Sequence, residues 1–372
     1  MEQKKLGFGL MRLPLTDPED PTSIAIQEVN DMVDTFLERG FTYFDTAYFY
    51  HEYTSEDALR ESLIKRHPRN TFTVATKLPL TLVKAPEDLP RFFNEQLEKT
   101  GAGYFDYYLL HNLNTSNYKV AKRHDAFTFI AQKKAEGLIK KIGFSFHDRA
   151  ELLDEILSTH PEMEFVQLQI NYLDWENESI QSKKCLEIAT KHNKPVIVME
   201  PVKGGMLADV PPSVEKLFKA HHPDMSVPSW AIRYAASCPN VFMVLSGMSN
   251  MAQLRDNTSY MQNFKPLDAD ELAVVAQAVS AIQADIAVPC TACLYCVEGC
   301  PKNIAIPKYF ALYNSKQQLK GKRSPILGVY YKNFAKVYGK ASDCIACGKC
   351  EKSCPQHLPI IQHLSEIVAA FE

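Results

Sequence analysis

The stretch Phe41-Thr42-Tyr43-Phe44-Asp45-Thr46-Ala47-Tyr48-Phe49-Tyr50 carries the reading of the fold. A short aromatic and β-branched run ends on an acidic residue, just after a segment (24–39) whose apolar residues recur at helical spacing. The same unit returns along the chain. Phe72-Thr73-Val74-Ala75-Thr76-Lys77, Tyr107-Tyr108-Leu109-Leu110-His111 and Ile142-Gly143-Phe144-Ser145 are followed by Phe165-Val166-Gln167-Leu168-Gln169, Val196-Ile197-Val198-Met199 and Val241-Phe242-Met243-Val244-Leu245. With an opening Leu6-Gly7-Phe8-Gly9-Leu10, eight strand candidates alternate with amphipathic segments such as 56–65 and 89–100. Apolar runs separated by helices are the mark of a parallel sheet covered on both faces, and eight such units predict a (β/α)8 TIM barrel. Most of these strands end on a polar residue: Asp45, Lys77, His111, Ser145, Gln167 or Gln169. Strand C-terminal ends face the active site in such barrels. One polar strand end reads as a solvated terminus, but a set of them reads as chemistry.

After the eighth strand, 254–257 and 268–281 read as helices, and Ala287-Val288-Pro289 reads as a stiff, short hinge. Beyond it the same cysteine signature occurs twice. Cys290, Cys293, Cys296 and Cys300 precede Pro301, and Cys344, Cys347, Cys350 and Cys354 precede Pro355. Both read C-x2-C-x2-C-x3-C-P, in which three closely spaced thiolates reach three corners of a [4Fe–4S] cubane. Paired C-x2-C units also suit structural zinc, so ligand number alone does not decide; the tight run of three closed by Cys-Pro favours clusters. The tail resembles a two-cluster bacterial ferredoxin. That resemblance implies crossed ligation, with Cys290, Cys293, Cys296 and Cys354 on one cluster and Cys344, Cys347, Cys350 and Cys300 on the other. The expected domains are a barrel over 1–284 and a small ferredoxin-like iron–sulfur domain over 285–372. A spacer rich in Tyr and Lys (307–340) separates the runs, and the tail is expected to pack on the barrel's catalytic mouth.

Composition is that of a globular protein, with 46% hydrophobic and 23% charged residues among 372. A net charge of -3 gives no electrostatic case for nucleic acid. The absence of an 18-residue apolar run, or of a signal-peptide core, leads to the expectation of a cytoplasmic protein without a membrane span. Cys185 and Cys238, outside the runs, read as buried small hydrophobes.

Asp45, Tyr50, Lys77 and His111 follow one another on consecutive strand ends in the order of the aldo-keto reductase tetrad. Over 1–280 the chain resembles that superfamily, and with the tail it resembles its bacterial branch that carries a C-terminal iron–sulfur domain. Reducing a carbonyl needs a hydride on carbon and a proton on oxygen. The resemblance implies Tyr50 as proton donor, Lys77 and Asp45 as the pair that tunes it, and His111 as the group that orients the carbonyl. Tyr48 then reads as a pocket wall, and His51 as a plain loop residue. It also implies a nicotinamide cofactor, NADPH or NADH. Ser145 and Gln167 would hold its carboxamide, and Met199 would stand where an aromatic residue usually stacks. Pro201, Lys203 and Gly204 would lie along the pyrophosphate, and Ser246, Gly247, Gln253 and Asn257 at the adenosine end. Phe146 replaces the Asn that usually follows the serine. Gly247 and Gln253 replace cations that usually recognise a 2′-phosphate; Lys203 or Arg255 could compensate, so NADH against NADPH stays open.

The leading expectation is an oxidoreductase moving hydride between nicotinamide and a small carbonyl or alcohol, with an iron–sulfur electron-transfer module and a possible redox protein partner. The alternatives are an electron-transfer protein that uses the barrel as a docking scaffold, and a redox-neutral epimerase or lyase with retained NAD. A flavin is a further candidate cofactor, since direct exchange between a two-electron hydride and one-electron clusters needs a splitter. Tyr48, Phe146, Tyr172 and Trp175 suggest an aromatic-lined pocket.

Overall fold

The computed structural model of the protein describes residues 4–284, 287–288, 290, 294–319, 324–354 and 356–372. Cys293, Pro289 and Pro355 of the sequence reading lie outside the described residues. Eight parallel strands close in sequence order into one barrel: β1 (Leu6–Gly9), β2 (Tyr43–Asp45), β3 (Thr73–Leu78), β4 (Phe105–Leu113), β5 (Ile139–Phe146), β6 (Phe165–Gln169), β7 (Val196–Met199) and β8 (Val241–Gly247). Every strand expected from the sequence is present.

Side chains alternate between the two faces of a strand, and that alternation fixes what fills the barrel and what crowns it. Tyr43, Ala75, Leu109, Phe165, Ile197 and Met243 meet in one buried cluster inside the barrel. Two residues further along their strands stand Asp45, Lys77, His111, Gln167, Met199 and Leu245. They therefore form the next layer up, at the C-terminal rim. The opposite face carries Phe44, Val74, Leu110, Val166, Val198 and Val244, packed against the surrounding helices. Gly143 allows β5 to approach β6, since a Cβ there would lie 2.5 Å from the Phe165 carbonyl oxygen. The helix Ala269–Gln283 starts at a reciprocal capping box between Asp268 and Glu271, which satisfies two of its free N–H groups.

The tail does not hang free. A second core joins Tyr172, Leu207, Phe218 and Trp230 of the barrel side to Val288, Tyr309, Tyr330, Phe334 and Leu364 of the tail. Val288, expected in a hinge, is fully buried, and its N–H and carbonyl are both bonded to the Asn314 side chain at 2.8 Å. The spacer between the cysteine runs folds into two helices, Ile306–Gln318 and Pro325–Val337. Polar contacts tie these helices to the barrel, among them Ser179 Oγ to the Lys308 carbonyl (2.6 Å), Lys308 Nζ to the Glu178 carbonyl (3.1 Å) and Asn333 Nδ2 to the His147 carbonyl (3.0 Å). Among the described residues, no helix is long and apolar enough to cross a membrane.

Candidate active site and cluster sites

At the rim of the barrel, the Lys77 ammonium is 1% exposed and makes three contacts: Asp45 Oδ1 at 2.5 Å, the Thr46 carbonyl at 2.7 Å and Tyr50 Oη at 3.4 Å. Parallel pairing of β2 with β3 puts Asp45 and Lys77 on neighbouring strand ends, and the turn after β2 carries Tyr50 back over them. Burial alone would strip the proton from Lys77. The Asp45 carboxylate and Tyr50 outweigh it and hold the lysine above its ordinary value. Burial pushes the Tyr50 phenol up, Lys77 pulls it back, and Asp45 and Glu200 push with burial, so the phenol stays protonated at neutral pH. The lysine's pull favours the phenolate and so offsets part of what burial does to the phenol.

His111 stands at the end of β4, with its ring 6.2 Å from that of Tyr50, edge to face. Burial first, then the charges of Lys77 and His147, hold its pKa well below the ordinary value, so the ring is neutral. Its Nδ1 is buried without a partner. A second imidazole, His147, was not anticipated. It follows β5, is 8% exposed, and its Nδ1 also lacks a partner. Burial and then Lys77 depress it to about 3.

These groups share a cavity of about 630 Å³, within the usual range for small-molecule sites. Asp45, Tyr50, His111, His147, Gln167 and Met199 line its floor. Pro201, Gly204, Ser246, Gly247, Gln253 and Asn257 line one side of it. Gln167 Oε1 is buried with no partner, so it offers an acceptor to an amide N–H entering from the cavity.

Two smaller cavities lie in the tail. Cys300, Cys344, Cys347 and Cys350 surround one, walled by Ile304, Ile306 and Leu364. Cys290, Cys296 and Cys354 surround the other, with Pro307, Phe310 and Leu358. The fourth cysteine of each run thus stands with the first residues of the other run. Among the described residues, no three ligand-type side chains converge closely enough to hold a single ion. A cubane spreads its thiolates over four corners, whereas tetrahedral zinc draws them to one point, so the donor set fits the cluster better.

Residues 5–280 match the model of the aldo/keto reductase family. The chain belongs to that family. Residues 289–358 match the model of a 4Fe-4S dicluster domain, so this aldo/keto reductase is an oxidoreductase with a C-terminal iron–sulfur domain. An uncharacterised oxidoreductase of Schizosaccharomyces pombe is 25% identical over 271 residues, covering 69% of this chain and 81% of that protein. One of Bacillus subtilis is 23% identical over 287 residues, covering 69% and 87%. Among solved structures, the holo form of an aldo-keto reductase from Bacillus halodurans superposes with a TM-score of 0.59 at 23% identity, covering 74% of this chain and 91% of that one. An aldo-keto reductase from Klebsiella pneumoniae in complex with NADPH gives a TM-score of 0.57 at 16% identity, covering 74% and 95%.

Several expected positions of this reductase point elsewhere. Ser145 is buried below the cavity, where its Oγ accepts from the Asn112 N–H at 2.8 Å. Lys203 is 6% exposed and ion-paired to Asp174, itself bonded to Gln169 and Asn171, so its ammonium is spoken for. Arg12, missed in the sequence, reaches the cavity instead; a Cβ on Gly247 would sit 3.3 Å from the Arg12 side chain. Tyr48 faces away from the cavity and donates to Glu95 at 2.8 Å. Tyr172, Trp175 and Phe146 are likewise absent from the cavity wall, which carries Ile232, Ile326 and Val329 among its apolar residues, so the expected aromatic lining does not form. His51 has partners after all: Nε2 accepts from the Leu13 N–H at 3.0 Å and Nδ1 donates to the Pro21 carbonyl at 2.8 Å, stitching two loops.

The neutral histidines give a pH prediction. In the unfolded chain His147 titrates near 6.5 and in the folded chain near 3. Below about pH 6.5 the unfolded state therefore binds the extra proton, and the stability contributed by the neutral ring falls as pH drops toward 3. The urea midpoint of the anaerobic protein should decline between pH 7.5 and 5.5, and His147→Phe should show a shallower decline. An equal slope in both proteins would refute the buried neutral ring.

Proposed function

We propose that the barrel reduces a small carbonyl, or oxidises the matching alcohol, with a nicotinamide dinucleotide in the large cavity. The observation that carries this reading is the Tyr50 hydroxyl 3.4 Å from a buried, paired Lys77 ammonium, on the same cavity as the unpartnered amide oxygen of Gln167. The nicotinamide, when bound, supplies or takes the hydride. Gln167 would hold its carboxamide, and Met199, with Pro201, would lie under the ring. Arg12 offers a guanidinium to the phosphates beside Gly204 and Gly247. His111, being neutral, orients the carbonyl oxygen by a hydrogen bond without repelling Lys77. Tyr50 gives that oxygen its proton, and Lys77, fixed by Asp45, stabilises the phenolate left behind. In the reverse direction the phenolate takes the proton back.

In the tail, Cys290, Cys293, Cys296 and Cys354 would hold one [4Fe–4S] cluster, and Cys300, Cys344, Cys347 and Cys350 the other. The clusters would pass single electrons to or from a redox protein partner. The division into a barrel over 1–284 and a cluster domain over 285–372 belongs to the same proposal.

Tyr50→Phe removes only the phenolic proton and should lower turnover about 10²–10⁴-fold with little change in nicotinamide affinity. Full turnover in that variant would refute the assignment. Anaerobically prepared protein should contain about eight iron and eight acid-labile sulfide per chain; zinc without sulfide would refute the clusters.

A further inference from the structure

Ordinary barrels close their own mouths with loops. Here the helix Pro325–Val337, which lies between the two cysteine runs, reaches across to the catalytic cavity. Pro325, Ile326 and Val329 of this helix line the same cavity as Tyr50 and His111. One to two turns further along, the helix grips His147. The buried Asn333 side chain donates to the His147 carbonyl at 3.0 Å, and the Tyr330 ring meets the imidazole edge to face at 6.1 Å. From the barrel side, the His147 N–H is held by the Leu113 carbonyl at 3.0 Å. His147 is thus held at both backbone groups and against the Tyr330 ring, yet its Nδ1 is buried with no hydrogen-bond partner among the described residues, and the residue lines the cavity.

A buried polar group without a partner is costly unless something else supplies the bond. His147 does not belong to the hydride and proton machinery assigned above, since Tyr50 and His111 already converge on one oxygen. A neutral imidazole offers a donor at one nitrogen and an acceptor at the other, which suits a second oxygen on the bound molecule. Ile326 and Val329 add apolar surface to the same cavity.

We propose that the helix between the cysteine runs completes the substrate pocket, with Ile326 and Val329 as its outer wall and with Asn333 and Tyr330 holding His147 to receive a second oxygen of the carbonyl substrate. The substrate class is then a carbonyl compound with an additional hydroxyl or carbonyl oxygen and an apolar remainder. Asn333 and Tyr330 are positioning residues. This inference rests on the carbonyl-reducing reading of the barrel.

The test uses the full chain with its clusters, prepared anaerobically, and four probes: 2,3-butanedione against 2-butanone, and hexanal against propanal, each with NADH and with NADPH. His147→Phe should lower kcat/KM for 2,3-butanedione about tenfold relative to 2-butanone, mainly through KM, as expected for one lost hydrogen bond. Asn333→Ala should shift the same ratio in the same direction by less. Ile326→Ala and Val329→Ala should move the hexanal-to-propanal ratio in favour of the longer aldehyde and leave the dione ratio unchanged. Visible cluster absorbance per chain, measured on each variant, shows whether the tail remains folded. Unchanged ratios in all four variants, with absorbance intact, would overturn the inference while leaving the barrel's activity standing. A wild-type protein that reduces none of the four probes with either nucleotide would overturn the preceding reading and this one with it.

Discussion

The ammonium of Lys77 sits at 1% exposure inside the rim of the barrel, and much of the site is arranged around keeping it charged. An unpaired buried ammonium would lose its proton before it lost its hydration. Asp45 and the Thr46 carbonyl prevent that, at 2.5 Å and 2.7 Å. Both lie at the end of β2, and only the parallel register of β2 against β3 brings them beneath the lysine. The charge adds to what burial does to its neighbours. Burial first, reinforced by the ammonium, keeps His111 and His147 neutral, while the ammonium pulls the buried Tyr50 phenol back toward ionisation.

The tail supplies part of the wall of this site. Its helix Pro325–Val337 stands on the cavity, and its helix Ile306–Gln318 runs between the two cysteine-lined spaces, with Ile306 facing one and Pro307 and Phe310 the other. These helices pack against each other through Tyr309, Tyr331 and Phe334, with the Tyr309 and Tyr331 ring centroids 4.9 Å apart. Ligation in the tail and the shape of the catalytic mouth are therefore parts of one packed core. This arrangement gives a structural reason for fusing an iron–sulfur segment to a reductase barrel, in addition to any electron transfer.

The strands were legible because each is buried on both faces, so the chain had to spell them as apolar runs with polar ends. The cysteine runs were legible because ligand spacing is local. Asp45, Tyr50, Lys77 and His111 could be picked out because their order along the chain resembles the reductase tetrad, and the fold gathers them at one rim. What escaped lies where alternation stops. Tyr50 followed from the family's spacing, but Tyr48, two residues before it in the same turn, read as a pocket wall and bonds Glu95 instead. Lys203 read as a phosphate contact, but its partner Asp174 lies 29 positions away and came close only in the fold. His147 stands two residues past the expected Ser145 and one past the end of β5, and Arg12 stands three past the end of β1. A polar residue just beyond a strand end was the available signal for both. The tail was expected on the mouth from its short link to the barrel, but which of its helices would reach the cavity left no local signal, since that depends on long-range packing.

On the proposed chemistry, hydride passes directly between the nicotinamide dinucleotide and a carbonyl carbon beside Tyr50, with the clusters outside that step. The direct measurement is a single-turnover reaction of the anaerobic, cluster-bearing protein with nicotinamide deuterated at C4, followed by mass spectrometry of the product and by the visible absorbance of the clusters. One deuteron should appear on the carbinol carbon, with no bleaching during the turnover. A product without the label, formed while the cluster absorbance bleaches, would contradict it.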